Sequence, residues 1–159
     1  MSYLPKAIKL GFKILPSYRA GKIINPAIDK SWYYLPDVVN IFDIPNKFST
    51  IIDLIENEGF GFAALKKLIQ CTNESAKPWV TFLKEFQGSS KELQKMIAEW
   101  SDADSIGLTI ANGIKYFCTK DGSGKKDKKW SVFSNKMKVA LNQKYGVEFL
   151  TPKELVGIM

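Results

Sequence analysis

Apolar residues recur at helical spacing along this chain, and strand-like alternation is not found. Phe48, Ile51, Ile52 and Ile55 stand at positions i, i+3, i+4 and i+7, and Gly59 follows as a natural helix stop. Similar stripes fall within residues 62–69, 79–86, 93–100, 103–117 and 133–141. A chain of 159 residues is by default one domain and can bury a sizeable core. We therefore predict an all-α, single compact, bundle-like domain of about seven helices.

Helix boundaries and core positions follow from the same stripes. Ser101 with Asp104 predicts a helix start, which would place Asp102 and Asp104 in a first turn that favours acids. Thr151 with Glu154 predicts another cap, and the segment "GVEFL" reads as a short extended piece. The predicted core consists of Phe82, Leu83, Phe86, Leu93, Ile97, Trp100, Ile110 and Ile114.

The stretch "PKAIKLGFKILP" predicts a basic amphipathic helix over residues 4–15. Its lysines fall on one narrow face, and apolar residues cover the rest. Such a helix can pack on a protein core, lie on a membrane surface, or contact phosphates or an acidic protein. We favour burial against protein, either the chain's own core or a neighbouring subunit. The residues expected to face the partner or membrane are Lys6, Ile8, Lys9, Phe12, Lys13 and Leu15.

Charge divides the chain into two basic poles with an acidic stretch between them. The first pole, residues 1–28, carries five basic residues and no acid and forms an N-terminal arm preceding a helical domain at 29–159. Residues 29–58 carry six acids against two lysines, and residues 120–138 carry seven lysines against two aspartates. This layout favours an acidic partner or head-to-tail self-association. Because the basic residues are 22 lysines and one arginine, base-specific reading of nucleic acid is disfavoured.

The second pole contains a lysine-rich loop at residues 120–129. A phosphate-loop pattern is incomplete there, so we predict no nucleotide site. The lysines could grip phosphates while Trp130 stacks on a base, or the loop could be merely solvated with Trp130 in the core. The residues predicted to bind nucleic acid or an acidic partner are Lys125, Lys126, Lys128, Lys129, Trp130, Lys136 and Lys138.

The amino-acid composition argues against several kinds of catalytic and metal-binding site. The chain has no histidine, which removes the commonest general base and metal ligand, and we predict no enzyme, no cofactor and no metal site. Cys71 and Cys118 sit at apolar positions and are expected to be buried thiols. The longest nearly uncharged run, residues 106–118, is too short to span a membrane, and lysines interrupt any secretory signal. We expect an intracellular or virion-associated protein that is neither secreted nor integral to a membrane.

Two functions are compatible with these features. The favoured one is a non-catalytic structural or assembly protein of a larger particle, such as a viral or phage virion or a nucleoprotein. Its partners would be protein subunits, with non-specific nucleic acid as a further partner. The alternative is a peripheral membrane-surface effector that inserts helix 4–15 into anionic bilayers.

Overall fold

A computed structural model describes residues 4–16, 18, 27–34, 43–71, 81, 90–120 and 131–158. Helix accounts for 66% of these residues, which confirms a mostly helical protein. The helices among them are α1 (Leu4–Lys9), α2 (Asp43–Asn57), α3 (Phe62–Cys71), α4 (Ser90–Ala111), α5 (Asn135–Tyr145) and α6 (Pro152–Ile158). A 3-10 turn spans Lys30–Trp32, and two short strands, β1 (Tyr116–Cys118) and β2 (Glu148–Leu150), form a parallel sheet.

The main core lies between α2 and α4. Small residues of α4 face α2, because Ala103 and Ala111 are almost fully buried and Gly107 lies between them in the same stripe. A Cβ built on Gly107 would lie 2.9 Å from Ile52 Cδ1 and 3.1 Å from the Phe48 ring. The missing side chain therefore lets the two helices approach closely. The α2 residues that supply the other side are Ile44, Phe48, Ile51, Ile52 and Ile55.

A second, smaller cluster joins α3 to the first half of α4. Leu65 and Ile69 of α3 are buried, and partly buried Leu93, Met96 and Trp100 of α4 pack on them. The ring of Phe62 lies 5.0 Å from that of Trp100, centroid to centroid. The long helix α4 thus packs against α3 along its first half and against α2 along its second half.

The continuous course of α4 corrects the predicted helix start at Ser101. The Ser105 hydroxyl donates to the carbonyl of Ser101 at 2.8 Å, and Thr109 does the same to Ser105 at 2.8 Å. Both hydroxyls thus bond back along a helix that runs unbroken from Ser90 to Ala111, and no new helix begins at Ser101. Asp102 and Asp104 consequently lie well inside α4, where the favourable field of a first turn has faded.

The predicted core positions have mixed outcomes. Leu93, Trp100 and Ile110 pack against the clusters as partly buried side chains, whereas Ile97 is 39% exposed and was wrongly placed in the core. Ile97 sits one position from the stripe that faces α3, so the rotation of the helix carries it outward. Ile114 is half-buried beyond the end of α4. Phe82, Leu83 and Phe86 lie outside the described residues.

The small sheet corrects the prediction that residues 103–117 form one helix. Gly113 has a φ of 70°, and the amide of Ile114 bonds back to the Thr109 carbonyl at 3.0 Å, which ends α4. The chain then extends, and Phe117 of β1 pairs in register with Phe149 of β2. The predicted extended piece at residues 146–150 is confirmed for Glu148–Leu150, which form β2, whereas Gly146 caps α5 in the left-handed conformation. Cys118, expected to be buried, is exposed on β1 because it alternates with the inward-facing Phe117.

Aromatic rings close the core beside the sheet. The ring of Phe117 lies 6.0 Å from that of Phe133 and 5.7 Å from that of Phe149. Phe133 is almost fully buried and immediately precedes the cap of α5. The strands and α5 are thereby joined to one apolar cluster.

The caps of the last two helices follow from local sequence. The Ser134 side chain accepts a bond from the Met137 amide at 3.4 Å, and Gly146 with a φ of 71° ends α5. At α6 the predicted cap is confirmed, since Glu154 accepts from the Thr151 amide at 2.7 Å and its own amide donates to Thr151 Oγ1 at 3.3 Å. The Thr151 amide is the main cause that lowers the pKa of Glu154.

Candidate interaction surfaces

The N-terminal segment forms a short helix and a sharp turn instead of the predicted helix over residues 4–15. The turn is a Schellman motif: the Gly11 amide donates to the Ile8 carbonyl at 2.9 Å and the Phe12 amide to the Ala7 carbonyl at 3.2 Å. Gly11 adopts a φ of 87°, a conformation that other residues rarely accept. Phe12, Lys13 and Leu15 are therefore not helical, and the single glycine inside the stretch is the physical reason.

Beyond the turn the chain pairs with residues 31–34. The Ile14 amide donates to the Trp32 carbonyl and the Tyr34 amide to the Ile14 carbonyl, both at 2.9 Å. The Lys13 ammonium donates to the Ser31 carbonyl at 2.8 Å. These bonds, with the buried side chains of Pro16 and Tyr33, fix the course of the segment.

Tyr18 connects this segment to the main core. Its ring lies 6.1 Å from that of Phe48 on α2. Burial raises the pKa of the Tyr18 hydroxyl, and a hydrogen bond with Asn112 lowers it in part. The N-terminal segment is thereby held on the end of the α2–α4 core.

Two apolar side chains of the turn point into solvent. Leu10 is 78% exposed and Phe12 is 64% exposed. Lys6, Lys9 and Leu10 share one face of the helix and its continuation, and Lys13 follows the turn. We call Lys6, Lys9, Leu10, Phe12 and Lys13 the N-terminal surface. Of the other residues predicted for this site, Ile8 and Leu15 are half-buried.

The second basic pole is described only at its edges. Lys125, Lys126, Lys128, Lys129 and Trp130 lie outside the described residues. Lys136 forms an ion pair with Glu58 at 2.5 Å, and Lys138 lies close enough to Glu154 to help lower the pKa of that carboxyl. These two lysines of α5 are thus engaged with acids of the same chain.

A buried carboxylate fixes the chain directly after the lysine-rich loop. Glu99 of α4 is only 8% exposed, and it accepts hydrogen bonds from the Val132 amide and, at 3.0 Å, from the Ser131 hydroxyl. The Ser131 hydroxyl oxygen also accepts from the Phe133 amide at 3.3 Å. Before the loop, the Thr119 amide donates to the Leu150 carbonyl at 2.9 Å. Hydrogen bonds therefore hold the chain on both sides of residues 121–130.

Sequence reasoning missed the turn at Gly11 and the role of Glu99. The signal for the turn was present, because glycine followed by an apolar residue is the usual end of a helix. Glu99 gave no local signal, since its partners lie 32 and 33 residues further along the chain.

In the described ranges, cysteine and acidic side chains form no cluster that could hold a metal ion. Among the helices of those same ranges, each is too short or too polar to cross a bilayer. No protein-family model, curated protein or solved structure matches the chain.

Proposed function

We propose that this chain is a non-catalytic structural or assembly protein of a larger particle, such as a virion or nucleoprotein, held there through its basic poles. The observation that supports the proposal most is the N-terminal surface, where Leu10 and Phe12 are exposed beside three lysines. Exposed apolar patches mark interaction sites, and Leu10 and Phe12 are two large exposed apolar residues only two positions apart on one turn. A single compact domain of about seven helices is part of the same proposal.

The lysine-rich loop supplies the second pole of the proposal. Four lysines, at 125, 126, 128 and 129, stand within five residues of sequence. Clustered lysines bind phosphates without reading bases, and such binding weakens steeply as the salt concentration rises. The loop would therefore add non-specific nucleic-acid affinity to protein contacts made elsewhere.

The first test is the native mass of the purified protein, measured with and without nuclease and detergent. We expect species heavier than the monomer, and a nuclease-sensitive part of that mass if nucleic acid is bound. The proposal would be overturned if the protein stays monomeric under all conditions and does not bind a thirty-nucleotide single-stranded DNA at low salt.

The second test separates the loop from general basicity. Replacing Lys125, Lys126, Lys128 and Lys129 with glutamine should flatten the salt dependence of DNA binding by roughly one unit of slope for each phosphate that is no longer neutralised. The control is K91Q/K95Q, which removes two exposed lysines of α4 outside both poles. Equal effects from both variants would show that the loop has no special role.

A membrane-surface effector is the second candidate, and exposed Leu10 and Phe12 beside lysines favour it. The continuous helix 4–15 that this function assumed is not formed, so only the turn could insert. Co-sedimentation with vesicles of phosphatidylcholine and phosphatidylserine tests it. Deleting residues 1–16 would also remove the pairing of Ile14 and the buried Pro16, so L10S/F12S is the sharper variant.

A further inference from the structure

The N-terminal surface has features that narrow the kind of partner it fits. Resting on the proposed function, we infer that this surface docks on an acidic protein surface whose apolar pocket receives Leu10 and Phe12. Two properties carry the inference: the turn is fixed in advance, and lysines dominate its charge.

The turn that presents the apolar side chains is held on both sides. The Schellman bonds at Gly11 define its start, and the Ile14 pairing with residues 32 and 34 defines its end. The segment with which Ile14 pairs is itself fixed, because Asp29 accepts from the Ser31 amide at 2.9 Å and from its hydroxyl at 2.8 Å. A surface that is ordered before binding loses little conformational entropy when it docks. Leu10 and Phe12 are therefore suited to act as anchors.

The charge of the surface selects an acidic counterpart. Residues 4–16 contain three lysines and no acid. Asp29 on the paired segment stays ionised, since the Ser31 amide is the main cause that lowers its pKa, but the three lysines outnumber this one carboxylate. Complementary charge around apolar anchors speeds encounter and fixes orientation.

A second copy of this chain is a poorer counterpart. In the described part of the acidic stretch, Glu56 pairs with Lys66 at 3.4 Å and Glu58 pairs with Lys136 at 2.5 Å. Head-to-tail contact through these acids would have to break the internal pairs. Self-association through Glu56 and Glu58 would therefore have to compete with these two pairs, whereas binding to an acidic partner molecule would not.

A bilayer is also a poorer counterpart. Helices that lie in a membrane interface bury a continuous apolar face, commonly over about 20 residues. Here α1 has 6 residues, and the turn adds only two protruding apolar side chains. Leu10 and Phe12 fit a pocket in a protein better than they support stable insertion.

The experiment uses two defined acidic probes on the whole protein. Poly-glutamate offers charge alone, and a random glutamate–tyrosine copolymer of equal length offers charge with apolar groups. We expect the wild type to bind the copolymer about tenfold more tightly, the effect expected of anchoring side chains. L10S/F12S should remove that preference, whereas K6Q/K9Q should weaken binding of both probes.

The matched control removes exposed apolar side chains elsewhere. Val156 is 73% exposed and Ile158 is 56% exposed on α6, so V156S/I158S should leave the preference unchanged. Preference for the copolymer that survives L10S/F12S would overturn the inference while leaving the proposed function intact.

Other probes decide between partner classes. The protein could instead bind phosphatidylserine vesicles or single-stranded DNA through Leu10 and Phe12 and show no preference for the copolymer. That result would overturn the inference in favour of lipid or nucleic acid. Failure of the wild type to bind either acidic probe at low salt would overturn the inference. The proposed function would be overturned with it only if the protein is also monomeric under all conditions and does not bind single-stranded DNA.

Discussion

The α2–α4 core and the N-terminal segment place apolar side chains in opposite situations. In the core, Ile55 and Ile106 are fully buried, and the helices approach until a single Cβ would collide. In the N-terminal segment, backbone hydrogen bonds fix the course of the chain while Leu10 and Phe12 face solvent. Under the proposed function, stability and interaction belong to different regions. The contrast predicts that substitutions in the two regions have separable effects.

The largest effect is expected for truncation of Ile55 to alanine. Its side chain projects from α2 into the main core and is fully buried there. The free energy of unfolding should therefore fall by about 2–5 kcal/mol. Urea denaturation followed by circular dichroism measures it. L10S/F12S is the contrasting variant and should stay within about 0.5 kcal/mol per substitution. A comparable loss there would show that the N-terminal surface supports the fold.

Glu99 should come next, because its removal leaves a buried donor without an acceptor. In E99A the Val132 amide loses its partner, which should cost about 1–3 kcal/mol. E99Q keeps one acceptor oxygen and should lose less. Equal losses for the two variants would indicate that the negative charge, which both variants remove, matters more than the packing or the remaining acceptor oxygen.

Two helical glycines should respond to alanine with opposite signs. G107A gains helix propensity, but the new methyl group meets Ile52 and Phe48, so overpacking of roughly 1–3 kcal/mol should outweigh that gain. A Cβ at Gly157 of α6 meets no atom within 4 Å, and G157A should stabilise by up to about 1 kcal/mol. Thermal unfolding of both variants checks the pair. Stabilisation by G107A would mean that α2 and α4 are not held as close as described.

The smallest effect concerns pH and the cap of α6. The pKa of Glu154 is lowered in the folded chain, mainly by the Thr151 amide. A lowered pKa adds stability above the unfolded pKa, and that stability is lost as the pH falls through the folded pKa. In a nuclear magnetic resonance titration, the chemical shift of the Thr151 amide should change as Glu154 titrates. The midpoint of that change should lie below the ordinary pKa of a glutamate. E154Q should abolish that change at the Thr151 amide and should leave the signals of Tyr18, which packs on the core, unchanged.

Local patterns account for most of what could be predicted. The stripe from Phe48 to Ile55 predicted α2 because neighbours in sequence share one face, and Thr151 with Glu154 predicted the cap of α6 for the same local reason. Polyanion binding at the lysine-rich loop stays a prediction, since residues 121–130 are not described.

Pairing over distance accounts for what could not be predicted. Phe117 joined a strand because Phe149 pairs with it from 32 residues away, and Glu99 found its partners at a similar separation. The error at the N-terminal segment is different in kind. Gly11 carried a local signal, but the long apolar arc on either side outweighed it.

The parallel pairing of β1 with β2 has a consequence for the speed of folding. Parallel neighbours require a crossover, here the 29 residues from 119 to 147, before Tyr116 can meet Glu148. Closing such a loop must precede the contacts that stabilise it, so this step should be slower than the pairing of α2 with α3. Refolding kinetics would locate it: F149L should chiefly accelerate unfolding, whereas truncations at the α2–α3 contact should slow refolding. The last helices of the chain would then become native after the others have already met.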